Sequence, residues 1–277
     1  PNLLLAAVRF LTGTPENFRD FKQRLLGNAE AVRAVMLARS TQTNEPARCA
    51  TLLPILARLP QPLALIEVGA SAGLCLLPDL YAYNYGSHVI RPDADDGGAP
   101  VFTCAASPET PLPARMPQVA WRAGLDLNPL DPADADQAFW LETLVWPGQE
   151  TRLAGLRKAL RMAAAKRPRV VRGSLTEDAL ASLCREAPAD ATLVVFHTAV
   201  LAYVPDLDRR AFADRVRSLC PYWICNEAPR VMPGFAEGLG DPEQPGRFLL
   251  SMNGAPVAWT DPHGAAIEWI ATPASIP

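Results

Sequence analysis

The chain has 277 residues, 49% of them hydrophobic and 20% charged, with a formal net charge of −3. That length holds one large α/β domain with an appended cap, or at most two domains, and the composition excludes wholesale disorder. The small net charge supplies no global pull toward nucleic acid or an anionic membrane. No apolar run reaches the ~18–20 residues that cross a bilayer. The opening Pro1-Asn2-Leu3-Leu4-Leu5 is too short for a signal peptide and lacks its basic flank. With Pro rather than Met in first place, the chain is expected to have lost some N-terminal residues. Six cysteines, at 49, 75, 104, 184, 220 and 225, form no C-x-x-C pair, and His88, His197 and His263 are far apart. Zinc sites need close-set thiolates or imidazoles, so no metal is expected. Buried, reduced thiols in a cytosolic protein are.

In chain order, residues 2 to about 58 read as helical, with apolar spacing of three and four in Leu25, Ala29, Val32, Val35, Met36 and again in Leu52, Leu53, Leu56. Thr14-Pro15-Glu16-Asn17 and Thr43-Asn44-Glu45-Pro46 read as helix starts, each with a capping side chain and a proline. After Leu59-Pro60-Gln61-Pro62, the apolar run Leu63–Val68 reads as a strand buried on both faces. Gly69–Gly73 then turns into a helical segment ending near Tyr83. Residues 84–118, rich in Pro, Asp and Gly, read as an insertion over a site, with hairpin strands at His88–Arg91 and Val101–Cys104. Strands follow at Val119–Asp126, Arg169–Gly173, Ala191–His197 and Trp223–Glu227. Helices fall at about 134–145, 150–165, 176–186 and 207–219, an alternation that makes a parallel, doubly wound sheet. Phe248–Asn253, Val257–Thr260 and Ala266–Ile270, separated by Asn253-Gly254 and Asp261–Gly264, form an antiparallel meander at the edge. The expected organisation is a helical cap over residues 1–60 and an α/β domain over 61–277.

Chemistry concentrates at the strand ends. In Glu67-Val68-Gly69-Ala70-Ser71-Ala72-Gly73, small residues let a ligand approach the backbone, although a tight strand-to-helix turn needs them for packing too. In Gly124-Leu125-Asp126-Leu127-Asn128-Pro129, the Asp126 carboxylate offers two acceptor oxygens to the adjacent hydroxyls of a ribose; its other reading is a cap for the next helix. Gly173 and Ser174 end the third strand. His197 ends the fourth, as a base or as a hydrogen-bonded wall, and Glu227 ends the fifth, as a site carboxylate or a surface one. Tyr203 stands six residues beyond His197, placed to orient an acceptor. Tyr81, Tyr83 and Tyr85 floor an acceptor pocket or pack under the insertion. The basic stretch from Arg157 to Arg169 is expected to be a solvated helix end rather than an RNA contact.

The first of these stretches resembles the E-x-G-x-x-x-G motif of class I S-adenosylmethionine-dependent methyltransferases, and the second is similar to their G-x-D-x-N-P stretch. The resemblance implies a Rossmann-like core that binds S-adenosylmethionine through Glu67, Gly69, Ala70, Ser71, Gly73, Asp126, Leu127, Gly173, Ser174 and His197. The catalytic candidates that go with it are His197, Glu227 and Tyr203, and the substrate is a small molecule. Where the family usually has an acid beside adenine, this chain has Ser174. Gln42–Cys49, the glycine turn, Ala123–Asp131, Val195–Tyr203 and Trp223–Pro229 together resemble a bacterial family known only as domain of unknown function 2332. Two alternatives stay open: a protein that binds the ligand without catalysis, and a serine hydrolase with Ser71 in G-x-S-x-G and Asp206 and His263 in chain order. A dinucleotide dehydrogenase needs glycines at 69, 71 and 74, and only Gly69 complies.

Overall fold

The computed structural model describes residues 2–270, except 43, 87, 96 and 243. Helices α1 (Asn2–Thr12), α2 (Phe18–Gly27) and α3 (Ala29–Ala38) open the chain. Asn17 caps α2, its side chain accepting from the Asp20 amide at 3.0 Å, as the local sequence predicts. A 3-10 turn at Pro46–Arg48 leads into α4 (Cys49–Leu56). Thr43, expected to share in that start, lies outside the described residues. The cap is Glu45, whose carboxylate accepts from the Ala47 amide at 3.3 Å. Helices α1 to α3 bury a small cluster of their own around Ala7, Val8 and Val32. Every residue of α4 is buried, and it belongs to the main core.

Strand β1 (Leu63–Val68) is followed by two 3-10 turns, Leu74–Leu76 and Pro78–Leu80, in place of the expected helix. The stretch is apolar on all sides and interrupted by Pro78, so it folds as buried turns rather than as an amphipathic helix. Short strands β2 (Ala82–Asn84), β3 (Val89–Ile90) and β4 (Val101–Thr103) form a separate sheet ordered β3-β2-β4. The expected hairpin between β3 and β4 is corrected by this order: both pair with β2, which lies between them. Next come β5 (Ala105–Ala106), β6 (Val119–Asp126), α5 (Ala135–Leu144), α6 (Glu150–Lys166) and β7 (Arg169–Arg172). They are followed by α7 (Ala179–Glu186), β8 (Thr192–Thr198), α8 (Asp206–Leu219) and β9 (Tyr222–Glu227). The meander β10 (Phe248–Met252), β11 (Ala255–Thr260) and β12 (Ala266–Trp269) closes the described chain.

The protein is thus a mixed α/β structure on a nine-stranded, mostly parallel sheet ordered β5-β12-β11-β10-β9-β8-β1-β6-β7. Strands β7, β6, β1, β8 and β9 run parallel, and β10, β11 and β12 are antiparallel in sequence. From β1 the chain steps outward to β6 and β7, then returns to β8 and β9 on the other side of β1. Such a reversal leaves a crevice outside the carboxyl ends of the two central strands.

Alternation along each strand divides two cores. Leu63 and Leu65 of β1, Phe196 of β8 and Ile224 of β9 face α4, α6 and the tyrosines. Ile66 and Val68 of β1, Val195 of β8 and Trp223 of β9 face α7 and α8. Each fully buried aliphatic side chain contributes roughly 1.5–3 kcal/mol, so both faces are firmly specified. The same parity decides which face each polar strand-end residue meets.

Candidate functional site

At the carboxyl edge, the turn after β1 is stitched to the end of β6. Gly69 and Ala70 donate to the Leu125 carbonyl at 2.7 and 3.2 Å, and the Leu130 amide donates to the Ser71 carbonyl at 3.1 Å. The Asp126 carboxylate accepts from the Ser71 amide at 2.8 Å and from the Asn128 amide at 2.7 Å. Asp126 therefore does not cap α5; Asp134 does, accepting from Asp136 and Gln137. Each Asp126 oxygen has used one hydrogen bond, which leaves a further acceptor position on both. The side chain is half-buried at the edge, and Leu127 beside it is 64% exposed.

The glycines of the turn are closely packed by the protein itself. A Cβ on Gly69 would lie 2.2 Å from a Val200 methyl, one on Gly73 would lie 2.9 Å from Pro168, and one on Gly173 would lie 2.9 Å from Ala179 and Leu125. Protein side chains occupy the positions a Cβ would take, which gives these glycines a packing role. Gly69 has φ +77, where any other residue is strained as well as crowded. Ala70 is buried, and Ser71, only 5% exposed, has φ +50. With no long helix after Gly73, the turn offers no helix N-terminus to an anion.

Over this edge lies the segment before α4. The Ser71 hydroxyl donates to Gln42 Oε1 at 2.7 Å, and Gln42 Nε2 donates to the Asn128 carbonyl at 3.0 Å, so one side chain ties the two loops together. Arg48, 4% exposed, ties the end of β8 to the loop before β12: Nη1 donates to the Thr198 carbonyl at 3.1 Å and Nε to the Pro262 carbonyl at 2.7 Å. Gly264 admits this segment, since a Cβ there would lie 2.2 Å from the Ala47 carbonyl oxygen. Glu67 points into the same face, buried, with Oε2 unpartnered among the described residues. Burial pushes its carboxyl well above the usual carboxylate range, and Cys75 and Asp126 add to the rise while Arg48 opposes it. Glu45 is buried as well and pairs with Arg152; burial still raises its pKa against that guanidinium.

His197 and Glu227 have the opposite parity. The His197 ring is fully buried, 5.6 Å from the Phe212 ring and 5.9 Å from that of Trp223, between the sheet and α8. Its Nδ1 is 2.9 Å from Glu227 Oε1, which also accepts from the Val200 and Leu201 amides at 2.8 and 3.0 Å. His197, expected at the strand end as a base or as a hydrogen-bonded wall, is thus hydrogen-bonded and fully buried under α8, and the surface reading of Glu227 is corrected by its 2% exposure. The pair holds the backbone of Val200 and Leu201, and through Val200 it fixes the wall against Gly69. Tyr203 is 79% exposed and Ser174 half-buried, with the Ser174 hydroxyl 2.8 Å from that of Thr176.

The remaining candidates resolve simply. The Tyr81, Tyr83 and Tyr85 hydroxyls donate to the carbonyls of Leu74, Pro78 and Ala50 at 2.8, 2.6 and 2.6 Å, so they are core packing. Arg157, Arg167 and Arg169 pair with Glu142, Asp131 and Glu186. No hydrolase triad is assembled among the described residues: Ser71 bonds Gln42, Asp206 pairs with Arg210, and His263 lies 3.9 Å from Glu45. All six cysteines are free, five of them buried. Among the described residues no group of three or more His, Cys, Asp or Glu is placed to hold a metal ion, and no helix is long and apolar enough to cross a membrane.

A family model described as "Uncharacterized protein conserved in bacteria (DUF2332)" matches residues 4–269. The chain belongs to this bacterial family. No curated protein and no solved structure matches it.

In this DUF2332 chain a cavity of about 950 Å³ opens beside the carboxyl edge, between α1 and α2 on one side and α5 with the start of α6 on the other. Gln42 and Asn44 line it and also touch the loops of the edge, Asn44 Nδ2 lying 3.5 Å from the Ala70 carbonyl. Sequence reasoning missed Gln42, Glu45, Arg48 and Arg152 as site residues. One signal was available: Arg48 directly precedes a stretch, Cys49–Leu56, whose positions are almost all apolar, so it has no solvated face to occupy.

Proposed function

We propose that the protein binds S-adenosylmethionine at the carboxyl edge, in a Rossmann-like core of the methyltransferase type, and transfers its methyl group to a small-molecule acceptor. The observation that carries this reading is Asp126. It stands at the end of the strand next to β1 and is fixed by two backbone amides, with one acceptor position left on each oxygen for the two hydroxyls of a ribose. Exposed Leu127 offers an apolar face to adenine, and Gly173, whose amide donates to the Asp126 carbonyl at 2.9 Å, brings Ser174 alongside. The strand order, with antiparallel β10 beside β9, fits the same core, and residues 1–60 then serve as its helical cap. The free cysteines suit a cytosolic setting.

The residues fit the cofactor at Asp126 and Leu127; at Gly69, Gly73 and Gly173 the side a Cβ would take is filled by Val200, Pro168 and Ala179, so a ligand would meet their backbone from the other side. When bound, the cofactor supplies a methyl group on a positively charged sulfur, which an acceptor lone pair displaces to leave a neutral thioether. The chain's part is alignment, with Asp126 and Gln42 fixing the two loops that bear on the ligand. His197 and Glu227 act from behind as positioning residues, through the Val200 and Leu201 amides. An acceptor with a free lone pair needs no base, which agrees with the burial of both. Exposed Tyr203 is the member of the catalytic trio able to meet an acceptor.

Titration calorimetry tests this. S-adenosylhomocysteine should bind and NAD should not, and Asp126→Ala should weaken binding by roughly 1–3 kcal/mol, the cost of stranding hydroxyl donors. Absence of binding to the folded native protein overturns the reading. Binding without methyl transfer to any acceptor in a metabolite pool, followed with labelled cofactor, leaves a binding protein.

A further inference from the structure

The cavity under α1 and α2 has two unlike ends. Leu5, Phe21, Leu141, Leu144 and Leu156 make an apolar wall, and Trp146, 51% exposed, stands at its mouth. Arg152, His263 and Glu45 also line it, whereas Arg9, whose Nη1 donates to the Thr143 carbonyl at 3.0 Å, lies beside the apolar wall. Two guanidiniums act at this end, Arg152 in the lining and Arg48 behind it, and both bear on His263 and on the Glu45 carboxylate. That carboxylate is already engaged, by Arg152 through Oε2 and by the Ala47 amide through Oε1. Arg152 spends Nε on Glu45 and one N–H of Nη1 on Gln149 Oε1 at 2.8 Å, leaving the rest of its five donors. His263 reports the same field. Its pKa is lowered by burial first and then by Arg152 and Arg48, against the opposing pull of Asp261.

We infer that this cavity is a binding site for an amphipathic monoanion, its carboxylate held by Arg152 and His263 and its apolar body lying between α1 and α5. The volume suits a small organic molecule. A cation would meet the guanidiniums, and a neutral molecule would leave the Arg152 donors unused. Use of the cavity as the acceptor site rests on the methyl-transfer reading; binding of the anion does not.

The probes are laurate, dodecanol and dodecyltrimethylammonium, which share one tail and differ in head charge, titrated calorimetrically into the full chain below micelle formation. Laurate should bind at one saturable site at least about tenfold more tightly than either of the others, the scale of a charge-assisted hydrogen bond. Arg152→Gln should remove that preference, and Trp146→Ala should weaken all tails alike. Should Arg152→Gln fail to fold, His263→Ala, at a half-exposed position, should reduce the laurate preference. Equal or tighter binding of the ammonium probe overturns the proposal, as does laurate binding that ignores the Arg152 or His263 change. These titrations contain no S-adenosylhomocysteine, so their failure and that of the cofactor reading are separate results.

Discussion

Glu67 shows what one buried carboxyl does to the stability of the whole chain. Its pKa in the folded protein is raised well above 4.5 by burial, so the folded state keeps a proton that the unfolded state releases. Below about pH 4.5 both states hold that proton and the group costs nothing. As pH rises from there toward the folded-state pKa, stability is lost at up to about 1.4 kcal/mol per pH unit. Glu67→Gln removes the titration, so the Tm of the variant minus that of the native protein should grow as pH rises above 4.5. A difference that stays flat over this range shows that Glu67 does not hold its proton. The residue type and its place at the end of β1 were legible in the sequence. Its face is set by the register of the sheet: Leu63, Leu65 and Glu67 share one side, His197 and Glu227 the other, and strands apolar on both faces carry no mark of this in their sequence.

The turn after β1 is the element on which function and packing meet. Gly69→Ala adds a Cβ within 2.2 Å of Val200 at φ +77, so it should cost about 2–4 kcal/mol from strain and overpacking together. Val200→Ala in the same chain should return the overpacking share but not the strain, a coupling that denaturant unfolding of the single and double variants measures. Strict additivity would mean that Val200 does not fill this space. Strand boundaries here were readable because apolar runs flanked by Pro, Gly and Asn have few other solutions; β1 and β6 fall where the sequence places them. The helix expected after Gly73 was not, because an apolar stretch this short reads alike as helix and as buried turn. Likewise β3 and β4 each look like half of a hairpin, and only the pairing of β2 with both shows otherwise.

At the scale of the whole molecule, the N-terminal segment completes the edge that the sheet begins. Phe10 of α1 packs on Phe139 and Trp140 of α5 at 5.3 and 5.6 Å, and the Arg39 guanidinium lies 4.6 Å from the Phe10 ring. That docking carries Gln42, Glu45 and Arg48 to the ends of β1 and β8. The contact of Arg48 with Thr198 spans 150 positions and leaves no periodicity or spacing to read, so the site was legible only in its β1 and β6 half. The central claim is that this edge receives an adenosine-type cofactor. A crystal structure of the protein with S-adenosylhomocysteine tests it most directly. The expected density places the ribose hydroxyls on the Asp126 carboxylate and the adenine against Leu127, with Ser71 and Gln42 still bonded. A ligand seated elsewhere, or an empty edge at saturating concentration, contradicts the account.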